Sequence, residues 1–428
     1  MPTASAHDHS TELHVPDART CHSCKTASHA IAERCWHAAQ MSAEITVIGK
    51  VDFRNDQRLF GIKREDRFSH VYIIGKTGTG KSTLLESMAI QDLVNGNGFA
   101  LIDPHGDLAE RVAARIPRSR DGDLIYLNAA DPNQPWGYNP LRHVSPQYIA
   151  LAASGLLEVF KKMWPDAWGV RMEHILRNVL MALLEQPAST MHDILRVFSD
   201  KQFRRQIARS LKNESVRRFL EKEYERFSFG YRVDGTAPIQ NKVGAFLADP
   251  LLARILTAPK RELHIRQAMD EGKVLIANLA KGRIGEDSSS LLGGLLVTTI
   301  GLAAFTRADT PACNRPDYFS YIDEFQSFTT LALANMLSEL RKYRVGFTVA
   351  HQYLHQLVPD IRHAVLGNAG TIISFRVGAE DATYLAREFR PLLDETDLMQ
   401  LENHRIYLKL MIDGMPGFPF SATTLPIN

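Results

Sequence analysis

From Met41 onward the apolar positions settle into a regular order. Ile45 to Val51 alternates as a strand does, Phe53–Gln57 is turn-rich, and Leu59–Ile62 reads as extended. His70 to Ile74 is a short β-branched run that ends in glycines. A helix is predicted from Ser82 to about Val94, stopped by Asn95-Gly96-Asn97-Gly98. Phe99–Ile102 predicts a buried strand that runs into Asp103-Pro104-His105-Gly106-Asp107. A helix to Arg115 and a strand at Leu124–Leu127 follow. Strand–helix alternation of this kind predicts a parallel α/β sheet.

Between about Ser145 and Leu256 the alternation stops. The periodicity there is helical throughout, at Ile149–Lys162, Gly169–Leu184, Met191–Phe198, Phe203–Leu211, Ser215–Phe227 and Gln240–Phe246. An all-α insertion in an α/β domain is the reading. The sheet is expected to resume at Lys273–Asn278, followed by a long helix at Ser289–Thr306. Further strands are expected at Tyr318–Asp323, Gly346–His351 and Thr371–Phe375. This gives five segments: a leader (1–40), a short β-rich segment (41–70), a first motor part (71–144), the all-α insertion (145–261) and a second motor part (262–428).

The leader stands apart in composition. It holds six of the sixteen histidines and three of the four cysteines. Cys21, Cys24, Cys35 and His37 have zinc-type chemistry, but the two pairs close over so short a span that Zn2+ is not the favoured reading. A poorly ordered leader without function is preferred. A disulfide-built secreted fold would spread its cysteines along the chain. No apolar core segment marks a signal peptide among the first forty residues. The longest apolar stretch, Leu291 to Phe305, falls short of the roughly 20 residues that a membrane span needs. A cytoplasmic location is expected, with any inner-membrane association peripheral and through partners. The net charge of +2 excludes a histone-like basic protein, so any nucleic-acid contact must be a local patch.

Gly75-Lys76-Thr77-Gly78-Thr79-Gly80-Lys81-Ser82 fits GxxxxGK[ST], the phosphate-binding P-loop, with a strand before it and a helix after it. The glycines let backbone N–H groups face phosphate oxygens, and the helix N-terminus adds its positive end. Lys81 reaches the β- and γ-phosphates, Ser82 is placed to ligate Mg2+, and Thr83 closes the motif. ATP and Mg2+ are the expected cofactors.

Tyr318 to Ile322 is an apolar strand ending in Asp323-Glu324. Asp323 is the expected Mg2+ partner, as a Walker B aspartate. Glu324 is the expected general base for an attacking water. An adjacent Asp-Glu pair points to the additional-strand class of P-loop ATPases, in which a further strand with a polar tip lies between the P-loop strand and the acidic strand. Gln352, at the tip of Gly346–His351, is the expected γ-phosphate sensor, ahead of His351. Asp103 is read either as lining the nucleotide pocket or as forming the Asp-Pro turn, and His105 is not read as a metal ligand.

These residues carry a resemblance. The blocks IIGKTGTGKSTLL, ALIDPHGDL, NKVGAFL, VLIANLAKGRIGEDSSSLLGGLL, YIDEFQSF, LRKYRVGFTVAHQ and GNAGTIISFRVGAEDA make the chain similar to the HerA/FtsK superfamily, most of all to TraD/TraG-like type IV secretion coupling ATPases. The resemblance implies a RecA-like P-loop sheet with an inserted all-α domain. It also implies a hexameric ring with ATP at subunit interfaces and DNA in the central channel. An arginine finger from the neighbouring subunit is implied as well. Arg341, eleven residues before Gln352, matches that position, with Arg344 and Arg390 as rivals. Two departures stand out: no transmembrane helices of the coupling-protein kind are expected, and only about thirty residues lie between Met41 and the P-loop strand, where HerA carries a larger β-barrel.

Lys201 to Arg226 carries nine Lys/Arg against four Asp/Glu. Arg204, Arg205, Arg217 and Arg218 are therefore candidate rim contacts to DNA. Lys281 and Arg283, in a loop with Gly282, are candidate channel contacts. Both sets predict sequence-independent, salt-sensitive binding, with double-stranded DNA the expected form. The leading expectation is an ATP-driven DNA translocase working with a secretion or conjugation apparatus. The alternatives are an ATPase that moves protein and a nucleotide-gated scaffold.

Overall fold

The computed structural model describes residues 44–52, 58–142, 144–257 and 259–427. The zinc candidates Cys21, Cys24, Cys35 and His37, and the expected turn at 53–57, lie outside these.

One sheet of eleven strands organises the chain. Its strands are β1 (Ile45–Val51), β2 (Leu59–Lys63), β3 (Val71–Ile74), β4 (Gly98–Asp103), β5 (Leu124–Asn128), β6 (Val274–Asn278), β7 (Tyr318–Ile322), β8 (Val345–His351), β9 (Thr371–Ser374), β10 (Arg405–Lys409) and β11 (Phe420–Thr424). The spatial order is β2-β1-β11-β10-β9-β3-β8-β7-β4-β6-β5. From β5 to β9 neighbouring strands are parallel; from β9 to β2 they are antiparallel. All the parallel strands except edge strand β5 are buried along their length. Helices on both faces demand such near-continuous apolar runs.

The pleat assigns the faces. Ile73, Phe99 and Leu101 pack on the side of the P-loop helix, Lys81–Val94. Tyr72, Ala100 and Ile102 pack on the other side, in one continuous core with the helical segment and with helix Glu286–Thr306. That helix is long and apolar enough to cross a membrane by length and composition, and 72% of its apolar window is buried inside the protein. It begins three residues before the expected Ser289 and ends at Thr306 as expected, and it serves as a core element.

From Ile149 to Thr257 the described chain is helical, with no strand of the sheet between. Where it leaves and returns, Trp136–Gly137 and Arg261–Glu262 form a two-residue parallel pair. Two differences from the sequence reading have physical causes. Gln240–Phe246 is the end of a 20-residue helix, Phe229–Ala248. Gly230, Gly235 and Pro238 hid its first half, and Gly235 is there because a Cβ would lie 2.5 Å from Ile175 Cδ1. Strands β10 and β11 were not anticipated. They flank a hairpin turned by Asp413-Gly414, both at positive φ (51° and 77°), which is the sequence pair that such turns select.

Candidate active site

The C-terminal ends of β3, β8, β7 and β4 bring four loops together. β8 lies between the P-loop strand β3 and the acidic strand β7, which is the additional-strand arrangement. The loop after β3 is tied from both sides: Gly75 N donates to His351 O (3.3 Å) and Lys76 N to Arg376 O (2.8 Å). Gly78 and Gly80 take φ of 76° and 120°, a region that other residues reach only with strain. A Cβ on Gly80 would also come within 2.8 Å of His404 Nδ1. Thr79 is buried, with its hydroxyl donating to Lys76 O (2.7 Å). It shapes the loop from within. Thr77 is exposed, and its hydroxyl donates to Gln352 Oε1 (2.9 Å).

Lys81 opens the helix and folds its Nζ back onto Gly75 O (2.6 Å) and Lys76 O (3.2 Å). Burial lowers its pKa, opposed by the charges of Asp323 and Glu324. Ser82 donates to Asp323 Oδ2 at 3.0 Å, so the two expected Mg2+ partners stand together; Thr83 follows in the same helical turn. Asp323 is buried, and its pKa is pushed up to about 6 by that burial and by the neighbouring charges of Glu324 and Asp103. A carboxyl crowded by two others is the environment that a divalent cation relieves. The residues present therefore fit MgATP: backbone donors and Lys81 for phosphate oxygens, Ser82 and Asp323 for the metal. Among the described residues no cluster of three or more His, Cys, Asp or Glu offers a separate metal site.

Glu324 has left-handed backbone angles (φ 48°, ψ 49°), uncommon for a residue with a side chain. Its Oε1 accepts from Gln352 Nε2 (2.6 Å) and its Oε2 from Gln326 Nε2 (2.5 Å). His105 Nε2 stands 4.0 Å from Oε1. Gln352 thus joins the P-loop, through Thr77, to the general-base candidate. His351 is fully buried, bonded to the Tyr72 hydroxyl, with its pKa pushed down to about 3 by burial and the charge of Lys81. It supports the strand tip, whereas Gln352 faces the site. Asp103 accepts from His105 N and Ala109 N, both at 2.9 Å; it builds the turn and starts helix Asp107–Ala113.

The arginines separate clearly. Arg344 is tied to Asp317 and Glu65 (2.6 and 2.7 Å) over the Phe68 ring. Arg390 is exposed and precedes a cis proline. Arg341 is exposed, with a 3.3 Å hydrogen bond to Ser69 Oγ. It sits before the first residue of β8, and seven strand residues at ~3.3 Å each separate it from Gln352. It cannot serve the site of its own chain.

Two DNA expectations need correction. Arg204 is buried, bonded to Val197 O (2.7 Å) and Glu225 (2.6 Å), and lies over the Tyr224 ring; it holds helices together and is not free for phosphate. Lys281 and Arg283 lie on a short helix, Lys281–Ile284, not in a loop. Arg205 and Arg218 are exposed, and Arg217 is half-buried beside Glu214 (3.4 Å).

Sequence reasoning missed three contributors. Gln326 and His105 lay inside blocks that were quoted but not assigned, and their contact with Glu324 needed the loops in space. His404, whose N donates to Thr79 O (2.8 Å), had no local signal at all.

Residues 60–256 match the family model of the helicase HerA central domain. Comparison with curated protein sequences gives no match. The fold is similar to that of the bacterial conjugative coupling protein TrwBdeltaN70 in its unbound monoclinic form, with a TM-score of 0.62, 16% identity and 89% of each chain covered. The plasmid coupling protein TrwB in complex with ADP and Mg2+ gives 0.61 and 17%, over 89% of this chain and 90% of that one. VirB4 of Thermoanaerobacter pseudethanolicus gives 0.56 and 15%, over 89% and 96%. Residues 60–256 thus match the model of the HerA central domain, and the chain shares the fold of the conjugative coupling proteins.

Proposed function

We propose that the chain hydrolyses ATP and uses the energy to translocate DNA as a ring of six copies, as part of a conjugation- or secretion-type apparatus on the cytoplasmic side of a membrane. One observation carries the reading: Ser82 and Asp323 pair at 3.0 Å while Glu324 is joined through Gln352 to the P-loop. A pure nucleotide binder has no use for the base. The coupling-protein TrwB bound to ADP and Mg2+ supports the choice of cofactors.

The chemistry follows from the side chains. Backbone N–H groups of 75–82 and the Lys81 ammonium hold the β- and γ-phosphates. Ser82 and Asp323 would hold Mg2+, which when bound neutralises charge between those phosphates. Glu324 accepts a proton from water as the water oxygen bonds to the γ-phosphorus. The bond from that phosphorus to the ADP oxygen breaks, leaving ADP and phosphate. Gln352 reports whether the γ-phosphate is present by exchanging Glu324 for a phosphate oxygen. Arg341 acts in trans, since its own site is a strand's length away; a finger of this kind contributes ~10³–10⁵ in rate, about 4–7 kcal/mol of barrier. Arg205, Arg217, Arg218, Lys281 and Arg283 contribute phosphate contacts to DNA.

The test is ATP turnover with and without duplex DNA, beside the mass of the assembly in MgATP. Stimulation by DNA that weakens with salt, loss of turnover in Lys81→Ala and a six-copy mass are expected. Turnover that ignores DNA at every salt concentration would overturn the translocase assignment, and a monomeric mass would overturn the ring.

A further inference from the structure

Glu324 is mounted on a turn that the all-α segment reaches. Lys162, in the last turn of helix Ile149–Met163, brings its Nζ onto the carbonyl oxygens of Gln326 (2.5 Å) and Thr329 (2.8 Å). Phe325 and Phe328, on either side of Gln326, are buried at 0% and 1% exposure. A Cβ on Gly293 of the long core helix would collide with the Phe328 ring. The turn is therefore pinned by its rings on the core and by one ammonium from the insertion.

Gln326 passes this fixation to the base. Its Nε2 donates to Glu324 Oε2 (2.5 Å), while its Oε1 is buried with no hydrogen-bond partner. An ionised carboxylate only accepts, so one amide orientation alone serves Glu324. Keeping it leaves the other end of the amide unsatisfied, an arrangement that packing by itself would not select.

We propose that Lys162 and Gln326 are positioning residues for Glu324, and that the link Lys162–Gln326–Glu324 is how the all-α segment sets the aim of the base. This rests on the hydrolytic reading above. The helix that holds Lys162 belongs to the same continuous core as the rest of the insertion, so a shift of that core moves the carbonyls that carry the turn.

A misplacement of ~1 Å at a reacting group lowers rate on the order of 10²-fold. Lys162→Met, which keeps most of the stem but removes the charge, and Gln326→Leu should each lower kcat for ATP roughly 10- to 100-fold with KM held within about twofold. Lys162→Arg, which retains a cationic donor, should recover most of the loss. The double variant should be no slower than the slower single, because both act on one link.

Turnover is measured on the full chain with duplex DNA present, and affinity for a fluorescent ATP analogue reports on the folded nucleotide site. If Gln326→Leu loses that affinity, Lys162→Met with its arginine rescue decides. Wild-type turnover with Lys162→Met at the wild-type kcat, KM rising in step with the fall in kcat, or losses that multiply in the double variant would each overturn the positioning role and leave the hydrolytic reading standing. A wild-type chain with no turnover would overturn both.

Discussion

Asp323 shows most directly how this site exchanges stability for chemistry. Its carboxyl is 4% exposed, and its pKa is pushed up from an ordinary 3.8 to about 6, because burial and the charges of Glu324 and Asp103 disfavour ionisation. The native state therefore holds the proton more tightly than the unfolded chain. Stability is full below pH 3.8 and is lost as pH rises through 6. From these two values the ionised carboxyl costs on the order of 3 kcal/mol at pH 8 and roughly half as much at pH 5. Asp323→Asn removes the charge at nearly constant shape, so it should stabilise the metal-free protein by about those amounts, with the gain at pH 5 roughly half that at pH 8. Urea midpoints in EDTA at the two pH values measure this. With MgATP the gap should narrow: at a ligand concentration of about 100 times Kd the wild type gains ~2.7 kcal/mol, and the variant, lacking the metal carboxylate, gains less. A stabilisation equal at both pH values, or an asparagine variant less stable at pH 8, would refute the claim that the carboxyl is held under electrostatic strain.

Three further outcomes follow from named contacts. Arg67 is 2% exposed, forked onto Asp92 (2.7 and 2.8 Å) and bonded to the Tyr321 hydroxyl of β7; Arg67→Met alone should cost about 3–5 kcal/mol in the urea midpoint, and Arg67→Met with Asp92→Leu should recover most of it. A double variant as unstable as the sum would contradict the buried-pair account. Arg204→Ala should lower thermal stability without changing the salt slope of DNA binding, whereas Arg205→Ala with Arg218→Ala should leave stability within ~0.5 kcal/mol and reduce that slope by about 2; the reverse pattern in binding isotherms would return Arg204 to the DNA contacts. Gly106 takes φ 100°, and a Cβ there would lie 2.6 Å from Asn278 Oδ1. Gly106→Ala should therefore displace His105 and slow ATP turnover while leaving nucleotide affinity intact, and an unchanged kcat would show the loop to be tolerant.

The parallel strands were legible because burial on both faces writes them as short apolar runs, and the P-loop because phosphate geometry admits few residue types. β10 and β11 are half-buried strands within the antiparallel end of the sheet, whose weaker alternation was outcompeted by the apolar runs before them. Helix Phe229–Ala248 was obscured by Pro238 and by Gly235, which serves packing that only the folded neighbour Ile175 explains. In the site, Lys81, Ser82, Asp323, Glu324 and Gln352 could be read from motif and spacing. Gln326 and His105 could not, since their roles depend on where three separate loops end. Arg204 misled because a charge run does not reveal which member turns inward.

The two-residue ribbon joining Trp136–Gly137 to Arg261–Glu262 bears on how this chain can be engineered or diversified. Two neighbouring attachment points invite the idea of a detachable module. The helices they deliver, however, share one uninterrupted apolar interior with the sheet. Cutting at the ribbon would uncover the side of helix Glu286–Thr306 on which helix Ile149–Met163 packs, where Gly155 meets Thr298 and Gly294 meets Val159. A replacement segment must therefore match the buried surface as well as the two junctions, so exchanges between relatives should succeed only when the long core helix, Glu286–Thr306, travels with its insertion.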